Sequence, residues 1–460
     1  MTRANRNSAI ALVVLTGLLA SGCRPASELL PNGTPVGVAG DLTDRDLPRR
    51  EWDPVLHSAP FHEGHPAMVS SLSLRGAIER VLSFSPALKA AFMEVQARHG
   101  DELQAGVRPN PELRLDVEDF LGSGEKSGFR SSEETLSITQ LVELGDKRVA
   151  RLRAASLDTA LAGWDLEAAR FEAVLHAAAI YVDVLASQER LDVLKKSLDL
   201  SERTRSAVAK RIKVGNTNPV ELDRANVNAA RARAALKSEQ ARYDATRRHL
   251  SSLWGSSRID FDRAAGRLGN GTTVPSAERI IAYIGDNPAV ARWSDEIGRR
   301  AAQLELEQSK SVRDYTVGAG VRHAAASDSV ALVVSVTTPL KIYDTNAGAI
   351  TAAEQRIAKA EFQQQAARQS ATGIIAEKMS ELSTAAAQVR SLEREVLPAA
   401  ESAFGKLKTG YEEARFDLVS LLDAQRTLFE VRLELVNAKA DFERAKVQIE
   451  ALIGRRLTEI

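Results

Sequence analysis

Cysteine occurs once in 460 residues, at Cys23, so no intrachain disulfide can form. Aromatic residues make up only 5% of the chain, too few for the core of a compact enzyme of this length. Ala, Leu, Arg and Glu are abundant instead, and long helices are the expectation. Neither sign of charge is in excess: 61 basic residues balance 61 acidic ones. The two signs are interleaved, with no basic stripe to hold nucleic acid. Also missing are a nucleophile–histidine–acid arrangement, a phosphate-cradling glycine loop and a paired-cysteine metal motif. These absences speak against an enzyme and call for no cofactor. Proline is absent from Lys147 to Val214, and glycine occurs there only at Gly163. Such a stretch predicts one helix about 100 Å long at 1.5 Å per residue, far more than a compact domain needs.

What the chain does have is a seam. Leu421, Ala424, Leu428, Val431, Leu435, Ala438, Phe442, Ala445 and Ile449 follow one another in alternating steps of three and four, the spacing of a coiled coil. A second seam, Leu222, Ala225, Ala229, Ala232 and Leu236, lies 199 residues upstream of the first five. Leu253-Trp254-Gly255 and Leu452-Ile453-Gly454 end the two copies at the same offset. The sequence therefore reads as an internal two-fold repeat.

The first residues carry Arg3 and Arg6, an apolar run from Ile10 to Ala20, and Ser21-Gly22-Cys23. This pattern predicts a secretory signal over 1–22, too short to span a membrane as a helix. A lone cysteine there resembles a bacterial lipobox, in which Cys23 is acylated; Ala20 stands where leucine is usual. An ordinary signal with an incidental cysteine is the alternative. Arg24 in place of aspartate omits the usual inner-membrane retention signal and implies the outer membrane. Residues 23–70 are rich in Pro, Gly, Asp and His and read as an extended arm. His57, His62 and His65, with Met68 behind them, are weak metal candidates, since imidazole and thioether suit soft or borderline cations. Their spacing fits a polar linker equally well.

Each repeat then runs in the same order. In the first (71–255), an amphipathic helix broken at Ser85-Pro86 precedes alternating strands around Leu113–Val117 and Leu136–Ile138, then the long helix. A turn at Gly215-Asn216-Thr217-Asn218-Pro219 follows, and a return helix runs to Trp254. After a linker (256–274), the second repeat (275–454) gives a helix broken at Asn287-Pro288. Strands at Tyr315–Val321 and Val330–Val336 follow, with another long helix to Tyr411 and the closing helix; residues 455–460 form a tail. Strands with one apolar and one polar face suit a transmembrane barrel, although two soluble hairpins would alternate similarly. Four strands cannot close, because the smallest such barrels have about eight and an open edge in lipid leaves backbone groups unpaired. A barrel would have to be shared among subunits, with the charged helices projecting into the periplasm.

The run Arg108-Pro109-Asn110-Pro111-Glu112-Leu113, then Gln140 with Glu143-Leu144-Gly145-Asp146-Lys147-Arg148, resembles the TolC-like outer-membrane efflux proteins, and so do Tyr343-Asp344-Thr345-Asn346-Ala347-Gly348 and Leu421-Leu422-Asp423-Ala424-Gln425-Arg426. Within that family the chain is most similar to the CzcC and CusC heavy-metal branch, over roughly Ser71 to Gly454. The resemblance implies an α+β membrane protein with four transmembrane β-strands per chain. A homotrimer would contribute these to a 12-stranded barrel in outer-membrane lipid, continued by a long periplasmic α-helical barrel. It implies docking to a periplasmic membrane-fusion adaptor and an inner-membrane RND pump.

It also implies that Asp423, Glu221 and Tyr411 form a periplasmic gate, and that Gly215, Asn216, Ala414 and Arg415 form the helix-turn tips that meet the adaptor. Ser420 replaces a second family aspartate, and Ala414 stands where glycine is usual. A ring of carboxylates would favour cations, while first-turn acids complementing a helix dipole are the plainer reading of Asp423 and Glu221. Alternatives for the chain are the same duct serving drugs, organic compounds or a secreted polypeptide, and a non-conducting periplasmic coiled-coil lipoprotein.

Overall fold

The computed structural model describes residues 64, 66–213, 218–269 and 274–453. Cys23, His57, His62, His65, Gly215 and Asn216 lie outside them. In chain order the elements are β1 (Val69–Leu72), α1 (Leu74–Phe84), α2 (Pro86–Ala105), β2 (Glu112–Glu118), β3 (Glu133–Val142), α3 (Lys147–Lys213), α4 (Pro219–Ser252) and β4 (Phe261–Ala264). The short helices α5 (Ala277–Ile281) and α6 (Pro288–Ala291) follow, then α7 (Trp293–Lys310), β5 (Tyr315–Ala324), β6 (Ser329–Thr337), α8 (Ala347–Ser391), α9 (Leu397–Glu412) and α10 (Leu418–Ile453).

Local chemistry sets the helix ends. Ser73 caps α1 by accepting the Gly76 N–H at 3.0 Å. Pro86 then opens α2 at a first-turn position, where its missing N–H has no partner to lose. Asn218 caps α4 through the Val220 N–H at 3.0 Å, followed again by proline. The 67-residue α3 runs unbroken, as its lack of proline requires. Its counterpart does not: α8 passes into α9 through a π turn at Leu392–Val396, where the Leu397 N–H donates to the Leu392 carbonyl. Pro398 follows and has no N–H for the preceding turn, so the wider register takes up the break. A single helix of about seventy residues is therefore corrected to two joined segments of 45 and 16.

The seam of α10 is buried as its spacing requires: Leu421, Leu428, Val431, Ala438, Phe442, Ala445 and Ile449 are all below 9% exposed. It packs on Ile375, Met379, Leu382 and Ala386 of α8. Fully burying one leucine there, such as Leu382, contributes roughly 1.5–3 kcal/mol. Among the described residues no helix is long and apolar enough to cross a membrane.

Residues 256–274, expected as a linker, instead hold β4, which pairs in parallel with β1: Val69 faces Phe261 and Leu72 faces Ala264. This pair is locked to the helices by Asp260. Its carboxylate accepts from Trp254 Nε1 at 2.6 Å and Ser251 Oγ at 3.1 Å, and pairs with Arg80 at 3.1 Å. Tyr181 of α3 closes the other side, donating to the carbonyls of Leu72 and Ala265; burial pushes its hydroxyl up to about 12.

The second sheet has the order β2-β3-β5-β6, antiparallel throughout. Its register puts Leu113, Ile138, Ala319 and Val334 in one row and Leu115, Leu136, Val321 and Leu332 in the next. Over these rows that face is apolar and bare, with Leu332 85% exposed and Val334 80%, and Gln140, Glu134 and His323 stand on it only in the rows to either side. The opposite face carries Arg114, Asp116, Glu118, Glu133 and Arg322, with Arg322 Nη1 2.9 Å from Glu133. Two glycines, Gly318 and Gly320, let β3 and β6 close on β5. A Cβ at Gly320 would lie 2.5 Å from the Leu136 carbonyl oxygen.

Candidate functional site

Of the residues singled out from the sequence, Glu221, Tyr411, Ala414, Arg415 and Asp423 lie within the described residues, in the first turn of α4 and where α9 turns into α10. Val208, Ala225, Tyr411, Leu418 and Leu421 form one buried cluster there. Tyr411 is 7% exposed, and its hydroxyl has no hydrogen-bond partner among the described residues. The guanidinium of Arg211 lies 4.6 Å from its ring centre and donates to its carbonyl at 3.2 Å. The tip tyrosine is thus held by the other helical hairpin of the same chain.

The turn that carries it is tight. The Gly410 carbonyl accepts from the N–H groups of Arg415 (2.7 Å) and Phe416 (3.2 Å), and the Ala414 N–H donates to the Tyr411 carbonyl at 3.0 Å. Phe416 folds over Gly410, where a Cβ would sit 2.1 Å from the ring. Ala414 takes the left-handed conformation, φ 59°, the backbone that glycine would adopt without strain. Arg415 pairs with Glu413 and both are exposed. Asp417 opens α10 by accepting the Ser420 N–H at 3.1 Å; bonds from Ser420 hold its carboxyl below the usual aspartate range.

Asp423 is exposed, as a gate acid must be, but it is not bare. Arg426, one turn on, donates to its carboxylate at 2.6 Å and also approaches Glu430. The position holds a carboxylate–guanidinium pair rather than a lone charge. Glu221 is half-buried in the first turn of α4, its N–H bonded to the Asn218 carbonyl.

Sequence reasoning missed a buried polar layer above the tip. Gln425 is 2% exposed, and its amide donates to Ser201 Oγ at 2.8 Å. Asn228 donates to the same hydroxyl at 3.1 Å, and Ser201 donates to the Ser197 carbonyl. One hydroxyl therefore joins α3, α4 and α10. The signal was present: Ser201 lies seven residues from buried Leu194 and from buried Val208, and Gln425 falls four after Leu421 and three before Leu428. Missing too was Arg211, which lies in the basic last turn of α3.

Comparison with known proteins places this architecture. The family described as outer membrane efflux protein matches residues 77–256 and 299–455. Among curated proteins, the cobalt-zinc-cadmium resistance protein CzcC of Cupriavidus metallidurans is 31% identical over 84% of this chain and 90% of its own length. The nickel and cobalt resistance protein CnrC of the same organism is 27% identical over 67% and 73%. Among solved structures, the outer membrane protein VceC of Vibrio cholerae superposes with a TM-score of 0.66 at 20% identity, covering 83% of this chain and 96% of that one. With the family's model matching residues 77–256 and 299–455 and a curated relative 31% identical over most of both chains, the chain belongs to the outer membrane efflux protein family.

Proposed function

We propose that the chain is the outer-membrane duct of a tripartite efflux assembly driven by an inner-membrane RND pump, and that its cargo is heavy-metal cations. The observation that carries the duct is the four-stranded sheet: one face apolar and bare, the other charged, with β2 and β6 left as open edges. In lipid each unpaired edge group costs several kcal/mol, so copies must add edge to edge until the sheet closes. Three copies give twelve strands, within the range that leaves a water-filled lumen. The same logic extends to the helices: α2 and α8 continue the edges formed by β2 and β6, so a head-to-tail ring closes both layers together.

In this reading the two repeats supply equivalent halves of each subunit, and residues 1–22 direct export. Cys23 anchors the mature chain to the outer membrane, and residues 23–70 form an arm. The tips around Gly215, Asn216, Ala414 and Arg415 meet the periplasmic adaptor, and Tyr411, Asp423 and Glu221 form the gate. The metal cargo follows the metal-resistance names of the relatives. His57, His62 and His65 are kept as an arm that meets metal only weakly.

A deletion strain, with and without a plasmid copy, tested across zinc, cobalt, cadmium, nickel, copper, dyes and detergents decides the cargo. Selective and complementable metal sensitivity supports the proposal and names the cation. Sensitivity to dyes and detergents alone leaves the duct but removes the metal assignment. A purified protein with no trimer and no single-channel conductance would leave only a structural coiled-coil lipoprotein.

A further inference from the structure

A cavity of about 440 Å³ lies just beyond the helix-side ends of β3, β5 and β6, lined in part by Glu143, Lys147, Arg151, Lys310, Asp314 and Lys341. Three of its four cations have carboxylate partners. Lys147 meets Asp314 at 2.6 Å, Arg151 meets Glu143 at 2.8 Å, and Lys310 meets Glu307 at 2.8 Å. Lys341 differs: its ammonium donates to the main-chain carbonyls of Lys310 and Val312. Asp314 is near, but it is already engaged by Lys147 and the Leu144 N–H. Among the described residues no carboxylate forms an ion pair with Lys341.

The residues around Lys341 are as unusual as its charge. Leu340 is 69% exposed, Ile342 68% and Tyr343 97%. A cation set between bare aliphatic and aromatic side chains has the composition of a membrane interface, where the stems lie among acyl chains and the charge and ring edge reach the headgroups. The segment also has the right position. It follows β6 within a few residues, directly below the bare column Val330, Leu332, Val334 and Val336.

We propose that this cavity and the Leu340–Tyr343 segment bind an anionic glycerophospholipid of the inward-facing leaflet. The lipid phosphate rests against Lys341, with Lys147 and Lys310 behind it, and the acyl chains lie along Val336 and Leu340. The excess charge at Lys341 selects an anionic over a zwitterionic headgroup. The inference rests on the membrane-spanning reading of the sheet.

The test uses the full-length trimer in nanodiscs of phosphatidylcholine with or without phosphatidylglycerol. Retained lipid is read by native mass spectrometry and conductance is recorded on the same samples. Phosphatidylglycerol is expected to be retained over phosphatidylcholine. Lys341→Gln should weaken its retention about fivefold, the size of one ammonium's attraction to an anionic surface, while Lys126→Gln in the opposite loop should not. Brominated phosphatidylglycerol should quench the added fluorescence of Ile342→Trp. Equal retention of both lipids, or an unquenched Ile342→Trp because a second copy covers the segment, overturns the proposal. Either result in conducting trimers leaves the duct intact; loss of conductance in wild-type protein removes the duct as well.

Discussion

The Arg211 guanidinium stacks 4.6 Å from the centre of the Tyr411 ring and donates to the Tyr411 carbonyl, tying the end of α3 to the turn after α9. One residue thus fixes both the ring and the backbone of the tip. A partly buried cation–π contact contributes about 1 kcal/mol, enough to bias a gate without locking it. Arg211→Ala is expected to raise the open probability of single channels about fivefold, in line with that energy. Arg211→Lys, which keeps charge but loses the planar fork, should fall between. A double cycle with Tyr411→Leu should show the two changes to be non-additive; strict additivity would mean the contact plays no part in gating.

Asp423 carries Arg426 at 2.6 Å, so in the proposed gate it stands as a neutralised pair. Arg426→Gln would free the carboxylate. Reversal potentials in a salt gradient are then expected to shift toward greater cation selectivity, while Asp423→Asn shifts them the other way. Unchanged selectivity in both variants would place Asp423 outside the conducting path.

Leu332 and Val333 are neighbours on β6 that point to opposite faces. Leu332→Arg should impair insertion by about 2–4 kcal/mol, the cost of an arginine near the middle of the lipid face, and trimer yield from membranes should collapse. Val333→Arg, facing the lumen, should insert and alter conductance instead. Equal tolerance of both would argue against a lipid-facing sheet.

Asp314 joins the start of β5 to α3 through Lys147 and the Leu144 N–H. Burial opposes its charge, but these partners prevail and hold its carboxyl below the ordinary 3.8. A depressed acid stabilises the fold above its unfolded pKa, and this contribution is lost as pH falls through the lower folded value. Thermal stability of the wild type should therefore drop more steeply below pH about 4 than that of Asp314→Asn, which starts lower and stays flatter. Parallel pH curves for the two proteins would exclude this role.

How legible the chain was depends on the length over which a signal repeats. The α10 seam runs through nine residues in alternating steps of three and four, and seven of them are buried; β5 and β6 alternate over nine or ten residues and pair as a hairpin. The β1–β4 pair was invisible because each strand has four residues and the partners lie 192 residues apart, too little alternation to stand out. At the site, Tyr411 and Asp423 could be named from the resemblance, but their partners could not. Arg211 comes from 200 residues away, and Arg426 stood in the quoted signature without an assigned partner. Gln425 stood there too without an assigned role; only the packing of three helices on Ser201 reveals it as internal.

The π turn at Leu392–Val396 divides α8 from α9 in angle as well as in hydrogen bonding. An extra residue in one turn advances every later side chain by about 100° around the axis. Ile375, Leu382 and Ala386 of α8 pack with Phe442, Ala445 and Ile449 of α10, and Tyr411, beyond the slip, packs with Leu418 and Leu421 of the same helix. The extra residue thus lets the segments on either side of Leu392–Val396 both keep a buried face on α10 despite Pro398.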